Sequence, residues 1–400
     1  MYIKRKLEEE IKKYLKTKEI IAVIGPRQCG KTTMLLTILK NYDKVSIVSF
    51  DNIKQLKLFE DDIDSFIGLY VKGYNYLFID EVQYAKDSGK KLKYIYDTQK
   101  IKIFISGSSA AELSIKSLKY LVGRIFVFKL FPFSFNEFLM AKDNRLWGIY
   151  NQGKYGPQIL SQINAYLHEY MIYGGFPRVV LASSIKEKKK VLENIYNTYL
   201  LREIKEIMQL GDNDKLITLL KSLSLQIGNL INYNELSQLT GLSFKELKKY
   251  LIILDQTYVC SRVSSFHTNK RTELVKVPKI YFFDSGFRNT CIDNFNAERT
   301  DKGAMYENVI FTELIIEGIT PKYWRSKSGA EVDFIISDAT PIEIKSTINE
   351  TKPSRSFSSF VEKYRPKKGF LVSLNFEGKK TIAGCALHFV PFVKFIWQIK

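Results

Sequence analysis

Short apolar runs alternate with amphipathic stretches through the first third of the chain. Residues 20–24, 45–50, 76–80, 101–106 and 125–130 are rich in β-branched and aromatic side chains and read as strands. Helical patterns lie between them, and this alternation predicts a parallel sheet with right-handed crossovers over residues 1–140. The pattern then changes. Residues 141–212 read as helical, with Tyr173-Gly174-Gly175-Phe176-Pro177 as a tight turn. Residues 213–300 read as helix (216–230), short helix ended by Gly241, capped helix from Ser243, and a hairpin beginning at Tyr258. Residues 301–400 place a helical pattern around Glu307 before two strands, 329–336 and 341–346. Four segments are therefore expected, which suits 400 residues.

The first strand runs into Gly25-Pro26-Arg27-Gln28-Cys29-Gly30-Lys31-Thr32-Thr33, which fits the phosphate-binding pattern G-x-x-x-x-G-K-[ST] at every fixed position. Strand, glycine loop and helix is the geometry this chemistry needs: backbone N–H groups and a helix N-terminus face the phosphates. The nine residues Gly25 to Thr33 are expected to cradle ATP, with Lys31 on the β- and γ-phosphates and the Thr32 hydroxyl on Mg²⁺. The strand 76–80 ends in Asp80-Glu81. On a strand next to that of the loop, Asp80 would hold Mg²⁺ and Glu81 would polarise the attacking water. Ser106, at the end of the fourth strand, could sense the γ-phosphate. Arg124, just before the fifth, could reach a neighbouring subunit's γ-phosphate, which implies a homo-oligomer. Residues 141–212 would form a helical lid over the nucleotide, from which Arg178 or Arg202 could contact the γ-phosphate.

Composition narrows the setting. Four cysteines without C-x-x-C spacing and three scattered histidines argue against a disulfide framework or zinc and fit a reducing cytoplasm. The N-terminus reads as a charged amphipathic helix rather than a signal peptide, and no apolar run reaches the length of a membrane span. The net charge of +19 is mostly lysine and spread over all four segments, so it points only weakly to a polyanionic partner.

These residues together resemble the AAA+ ATPases of an uncharacterised prokaryotic family with a C-terminal domain of unknown function. The resemblance is carried by Gly25–Thr32, Phe78-Ile79-Asp80-Glu81-Val82-Gln83, Ser106-Gly107-Ser108-Ser109, Gly123-Arg124, the run Leu130-Phe131-Pro132-Phe133-Ser134-Phe135-Asn136-Glu137-Phe138, and Tyr173–Pro177. It implies ATP binding, hydrolysis and assembly into a ring or dimer. Ser106 stands where many such proteins have Asn or Thr.

Two later modules extend the expectation. Residues 213–300 read as a winged helix-turn-helix, whose helix from Ser243 would enter a DNA major groove with Lys245, Lys248 and Lys249 on phosphates. The same module could instead pack against protein. In residues 301–400, Glu343 and Lys345 share a strand face and Asp333 comes alongside if the strands form a hairpin. With Glu307 on the preceding helix, this resembles the restriction-endonuclease-like core D-x(n)-E-x-K. Asp333 and Glu343 would bind Mg²⁺ and Lys345 would orient water. The expectation is therefore an ATPase acting on DNA. The alternative is a nucleotide-dependent switch or scaffold that binds a protein partner through an inactive nuclease-like domain.

Overall fold

The structure, a computed structural model, describes residues 2–108, 119–198, 204–208 and 213–399. Contacts divide it into two compact units, 1–133 with 256–258, and 134–255 with 259–400.

In the first unit, strands β1 (Ile20–Gly25), β2 (Val45–Ser49), β3 (Tyr76–Asp80), β4 (Lys102–Ser108) and β5 (Ile125–Lys129) form a parallel sheet in the order β2-β3-β4-β1-β5. Burial follows position. The central strands β1 and β4 are buried at every residue, whereas the edge strands β2 and β5 are partly exposed. Side chains alternate between faces. Ile20 and Ala22 join Phe59, Phe66, Leu92 and Ile95 on one side. Ile21 and Val23 join Met34, Leu35 and Ile38 on the other. Helices therefore cover both faces, as a parallel sheet of continuous apolar strands requires.

The second unit begins with helices Phe135–Lys142, Asn144–Asn151 and Pro157–Tyr173. Helices Asn213–Leu225, Tyr233–Thr240 and Phe244–Gln256 follow, then the antiparallel pair β6 (Cys260–Val263) and β7 (Lys279–Phe282). Next come helix Lys302–Ile316 and strands β8 (Lys322–Arg325), β9 (Glu331–Ile336), β10 (Thr340–Ile344), β11 (Lys368–Ser373), β12 (Gly378–Ile382) and β13 (Cys385–Pro391). These six form a mixed sheet ordered β12-β13-β11-β10-β9-β8. The pairs β8–β9, β9–β10 and β12–β13 are antiparallel; β10–β11 and β11–β13 are parallel. Helix Arg355–Tyr364 makes the crossover from β10 to β11, burying Phe357, Phe360 and Val361 in the core of this sheet.

The expected division at residue 140, with 141–212 as a lid of the ATPase, differs from this arrangement. The helices from 135 to 195 belong to the second unit, because their polar and apolar contacts are made there. Glu313, on helix Lys302–Ile316, accepts hydrogen bonds from the Phe135 backbone N–H at 2.7 Å and the Tyr170 hydroxyl at 3.2 Å. The Tyr173–Pro177 turn is more than a turn. Asp284 accepts from the Gly175 N–H at 2.7 Å and the Phe287 N–H at 2.8 Å. At Gly174, with φ of +74°, a Cβ would lie 2.2 Å from the Asp284 carboxylate, so only glycine lets the two segments meet.

Burial pushes the Asp284 carboxyl up to about 6 and that of Glu313 up to about 8. Both folded values lie above the unfolded ones, so the folded state holds more protons and stability falls as pH rises. For Glu313 the window runs from about 4.5 to about 8. The melting temperature of the second unit is therefore expected to fall across this range. Glu313→Gln, which stays neutral, should flatten the slope; an unchanged slope in thermal melts from pH 5 to 8 would remove Glu313 as its source.

Candidate active site

The loop after β1 is shaped by what lies behind it. A Cβ on Gly25 would fall 2.0 Å from the Leu130 carbonyl oxygen, and the Gly25 φ of +152° is one that L side chains rarely adopt. The Leu130–Pro132 segment thus presses on the loop, and Arg5 ties the two together. Its guanidinium donates to the carbonyls of Cys29 at 2.8 Å, Phe131 at 2.7 Å and Pro132 at 3.3 Å. Arg5 is buried, and its planar fork suits three carbonyls in one place. The sequence held no signal for it beyond a basic residue near an amphipathic helix.

Cys29 turns inward, its thiol donating to the Leu130 carbonyl at 3.3 Å, and burial raises its pKa. Its side chain is unavailable to a ligand, so only its backbone serves the loop. Pro26 is buried, Gln28 is exposed in a left-handed conformation, and Arg27 hydrogen-bonds the Tyr84 hydroxyl. Gly30 caps helix Lys31–Leu39, whose first turn carries Thr32 and Thr33, the latter exposed. The Lys31 amine is buried and donates to the carbonyls of Gly25 at 3.1 Å and Pro26 at 2.9 Å. The Thr32 hydroxyl donates to both Asp80 carboxylate oxygens, at 2.9 and 3.0 Å.

The expectation that Asp80 lies on a strand adjacent to the loop strand is corrected: β4 stands between β1 and β3. Ser106 therefore sits between the two halves of the site, paired in register with Val23. Its hydroxyl is fully buried and hydrogen-bonds the Asp80 carboxylate. Glu81 follows β3 with φ of +55°, a left-handed value uncommon for a non-glycine residue. Gln83 donates to the Glu81 carboxylate and accepts from the Ser108 N–H at 3.2 Å, linking Glu81 to the end of β4. Gln83 stood in the sequence motif without a role.

Arg124 lies at the other end of the strands: Ile20 pairs with Ile125, and the Ile20 N–H donates to the Arg124 carbonyl. It pairs with Asp97 at 3.0 Å and stacks on Tyr96. The length of β1 separates it from the loop of its own chain. Arg178 is exposed on the second unit. Ser109 and Arg202 lie outside the described residues.

These features fit a nucleotide with Mg²⁺. A glycine loop running into a helix N-terminus suits phosphate, and Thr32 with Asp80 would supply the hard oxygen donors that Mg²⁺ takes. A Mg²⁺ held by Thr32 and Asp80 would supply charge neutralisation for the transferred phosphoryl group.

The second unit gathers another set of charges. Asp333 and Glu343 lie on the antiparallel strands β9 and β10, and the Ile344 N–H donates to Asp333 at 2.7 Å. Glu343 is buried, accepting from the Ser354 hydroxyl at 2.8 Å and pairing with Lys345 at 3.0 Å. Glu307 accepts from the Tyr281 hydroxyl at 2.8 Å. One member was not anticipated. Lys279, at the start of β7 and 1% exposed, places its amine 2.5 Å from Glu331 and 4.0 Å from Glu307. Burial lowers the pKa of this amine, but the charges of Glu307, Asp333 and Glu331 outweigh it and leave it raised. Burial, then the charge of Glu307, pushes the Asp333 carboxyl well above the usual range. Among the described residues no three His, Cys, Asp or Glu side chains are arranged to hold a metal ion. Asp333 and Glu343, the expected Mg²⁺ ligands, each accept from protein donors here.

Residues 17–139 match the family model described as an AAA domain. Residues 164–298 and 302–391 match two domains of unknown function (DUF8612 and DUF4143). An uncharacterised protein of Methanocaldococcus jannaschii is 25% identical over 95% of this chain and 88% of its own length. One of Haemophilus influenzae is 26% identical over 84% of this chain and 83% of its own. The solved Walker-type ATPase of Pyrococcus abyssi superposes with a TM-score of 0.49 at 14% identity, covering 72% of this chain and 96% of that one. Among the described residues no helix is long and apolar enough to cross a membrane.

Gly25→Ala should abolish nucleotide binding, because the added methyl collides with the Leu130 backbone. Fluorescent-ATP titration checks this; retained binding would show that the loop can withdraw from Leu130. The AAA-type P-loop ATPase domain of this chain is thus built on β1, with Asp80 and Glu81 delivered from β3 across β4.

Proposed function

We propose that the chain is a Mg²⁺-dependent ATPase whose nucleotide cycle controls a DNA-binding second unit. The observation that carries this reading is the Thr32 hydroxyl shared by both oxygens of Asp80 at the mouth of the phosphate loop. Lys31 exchanges its loop carbonyls for the β- and γ-phosphates. Thr32 and Asp80 hold Mg²⁺. Glu81, held by Gln83, orients and polarises the attacking water. Arg124 acts on a neighbouring copy's γ-phosphate in a homo-oligomer. Its place at the far end of the strands from the loop supports action in trans. The four cysteines are free and buried, in keeping with a cytoplasmic setting.

For the second unit, three helices followed by an antiparallel strand pair support a winged helix-turn-helix. Ser243 and Glu246 exchange hydrogen bonds as a capping box at the start of the third helix. Lys245, Lys248 and Lys249 are exposed on that helix and would meet phosphates. The helix Lys302–Ile316, the β9–β10 pair and the Arg355–Tyr364 crossover support a nuclease-like fold. A second reading, in which this module docks on a protein partner, is favoured by the exposed Leu239, Phe244 and Ile252.

Lys31→Ala should lose ATP binding. Glu81→Gln should keep binding and slow hydrolysis by about a hundred-fold or more, and Arg124→Ala should slow hydrolysis with binding intact. Phosphate-release assays read all three, and unchanged turnover in Glu81→Gln would strike that residue from the mechanism. Gel shifts at varied salt test the DNA reading. Duplex, single-stranded or branched DNA should bind at low salt, and each of the three lysines changed to Ala should lower the salt slope by about one. Absence of any shift at low salt would leave the protein-partner reading.

A further inference from the structure

Four carboxylates and three cations meet where β7, helix Lys302–Ile316, β9 and β10 converge. Glu307, Glu331, Asp333 and Glu343 supply the negative charge. Lys279, Lys345 and Arg325 face them: Lys279 on Glu331 and Glu307, Lys345 on Glu343 at 3.0 Å, and Arg325 on Glu331 at 3.7 Å. Arg325 and Lys345 are about half exposed, whereas the Lys279 side chain is 2% exposed. Its amine lies 5.8 Å from the Tyr323 ring centroid.

A divalent cation in such a cluster would need hard oxygen ligands converging on one point. A buried ammonium already stands against Glu331 and Glu307, and Asp333 and Glu343 carry their own donors from Ile344 N–H, Ser354 and Lys345. Burying a fixed charge is costly unless it is paired, and here the lysine and the acids neutralise one another. Removing either side would leave the other buried and uncompensated.

We propose that the Lys279 ammonium occupies the place of the divalent cation in this nuclease-like site, which is therefore held together by an internal cation and takes no Mg²⁺. The proposal rests on the nuclease-like reading of the second unit and assigns that fold to holding DNA or a partner without cutting it.

The test is Mn²⁺ titration of the full chain without nucleotide, following free Mn²⁺ by electron paramagnetic resonance. Binding that survives Asp80→Asn but disappears in Asp333→Asn belongs to this cluster. The wild type should show none, and Mg²⁺ with labelled DNA should yield no cleavage that Asp333→Asn removes. Either signal in the wild type overturns the proposal, whether or not any lysine variant folds. Lys279→Met should gain Mn²⁺ binding that a further Asp333→Asn abolishes, and a folded Lys279→Met without that gain also overturns it. DNA binding is read separately by gel shift, so failure of the DNA reading leaves this result distinguishable.

Discussion

The ATPase unit depends on one constraint: Asp80 must reach Thr32 across an intervening strand. Because β4 lies between β1 and β3, the carboxylate at the end of β3 is two strands away from the loop. The gap is spanned by Asp80 meeting Thr32 directly, with the buried Ser106 hydroxyl of β4 holding the carboxylate from below. A larger residue at Ser106 would push the carboxylate away, and an apolar one would leave it short of a donor. The same strand carries Ser108, through which Gln83 fixes Glu81. β4 is thus a spacer and also the frame on which both acids are aligned.

The loop has a comparable dependence on a distant segment. Leu130 to Pro132 follow β5, yet they set the path of Gly25 and Cys29 through a carbonyl contact that only glycine tolerates and through the Arg5 clamp. Hydrogen bonds to a charged donor contribute about 1.5–3 kcal/mol each, so this clamp is a substantial part of what keeps the loop in shape before nucleotide arrives.

The second unit is organised by buried polar and ionisable side chains. Asp284 binds the Gly174–Gly175 turn, Glu313 joins Phe135 to Tyr170, and Arg288 reaches the Ser224 carbonyl and Asp301. Each of these groups is buried and each would be costly without its partner. They connect helices from opposite ends of the segment, which is why the 135–195 helices belong with the C-terminal sheet and not with the ATPase. A local helical pattern carries no information about which surface a helix will cover.

The chain by itself determined the elements and the motif. The five strands of the first unit were legible because short runs rich in β-branched and aromatic residues have few other solutions in water, and the loop was legible because its glycines and lysine stand at fixed spacing. The β9–β10 strands and the capped helix from Ser243 were legible for the same local reasons. Tertiary structure alone decided strand order, and with it the contacts of Ser106 and Gln83. It alone brought Arg5 behind the loop and Lys279 into the carboxylate cluster, 28 residues before Glu307 in sequence. Such placements arise from long-range packing and from the need to neutralise buried charge. Neither leaves a periodic trace in the sequence.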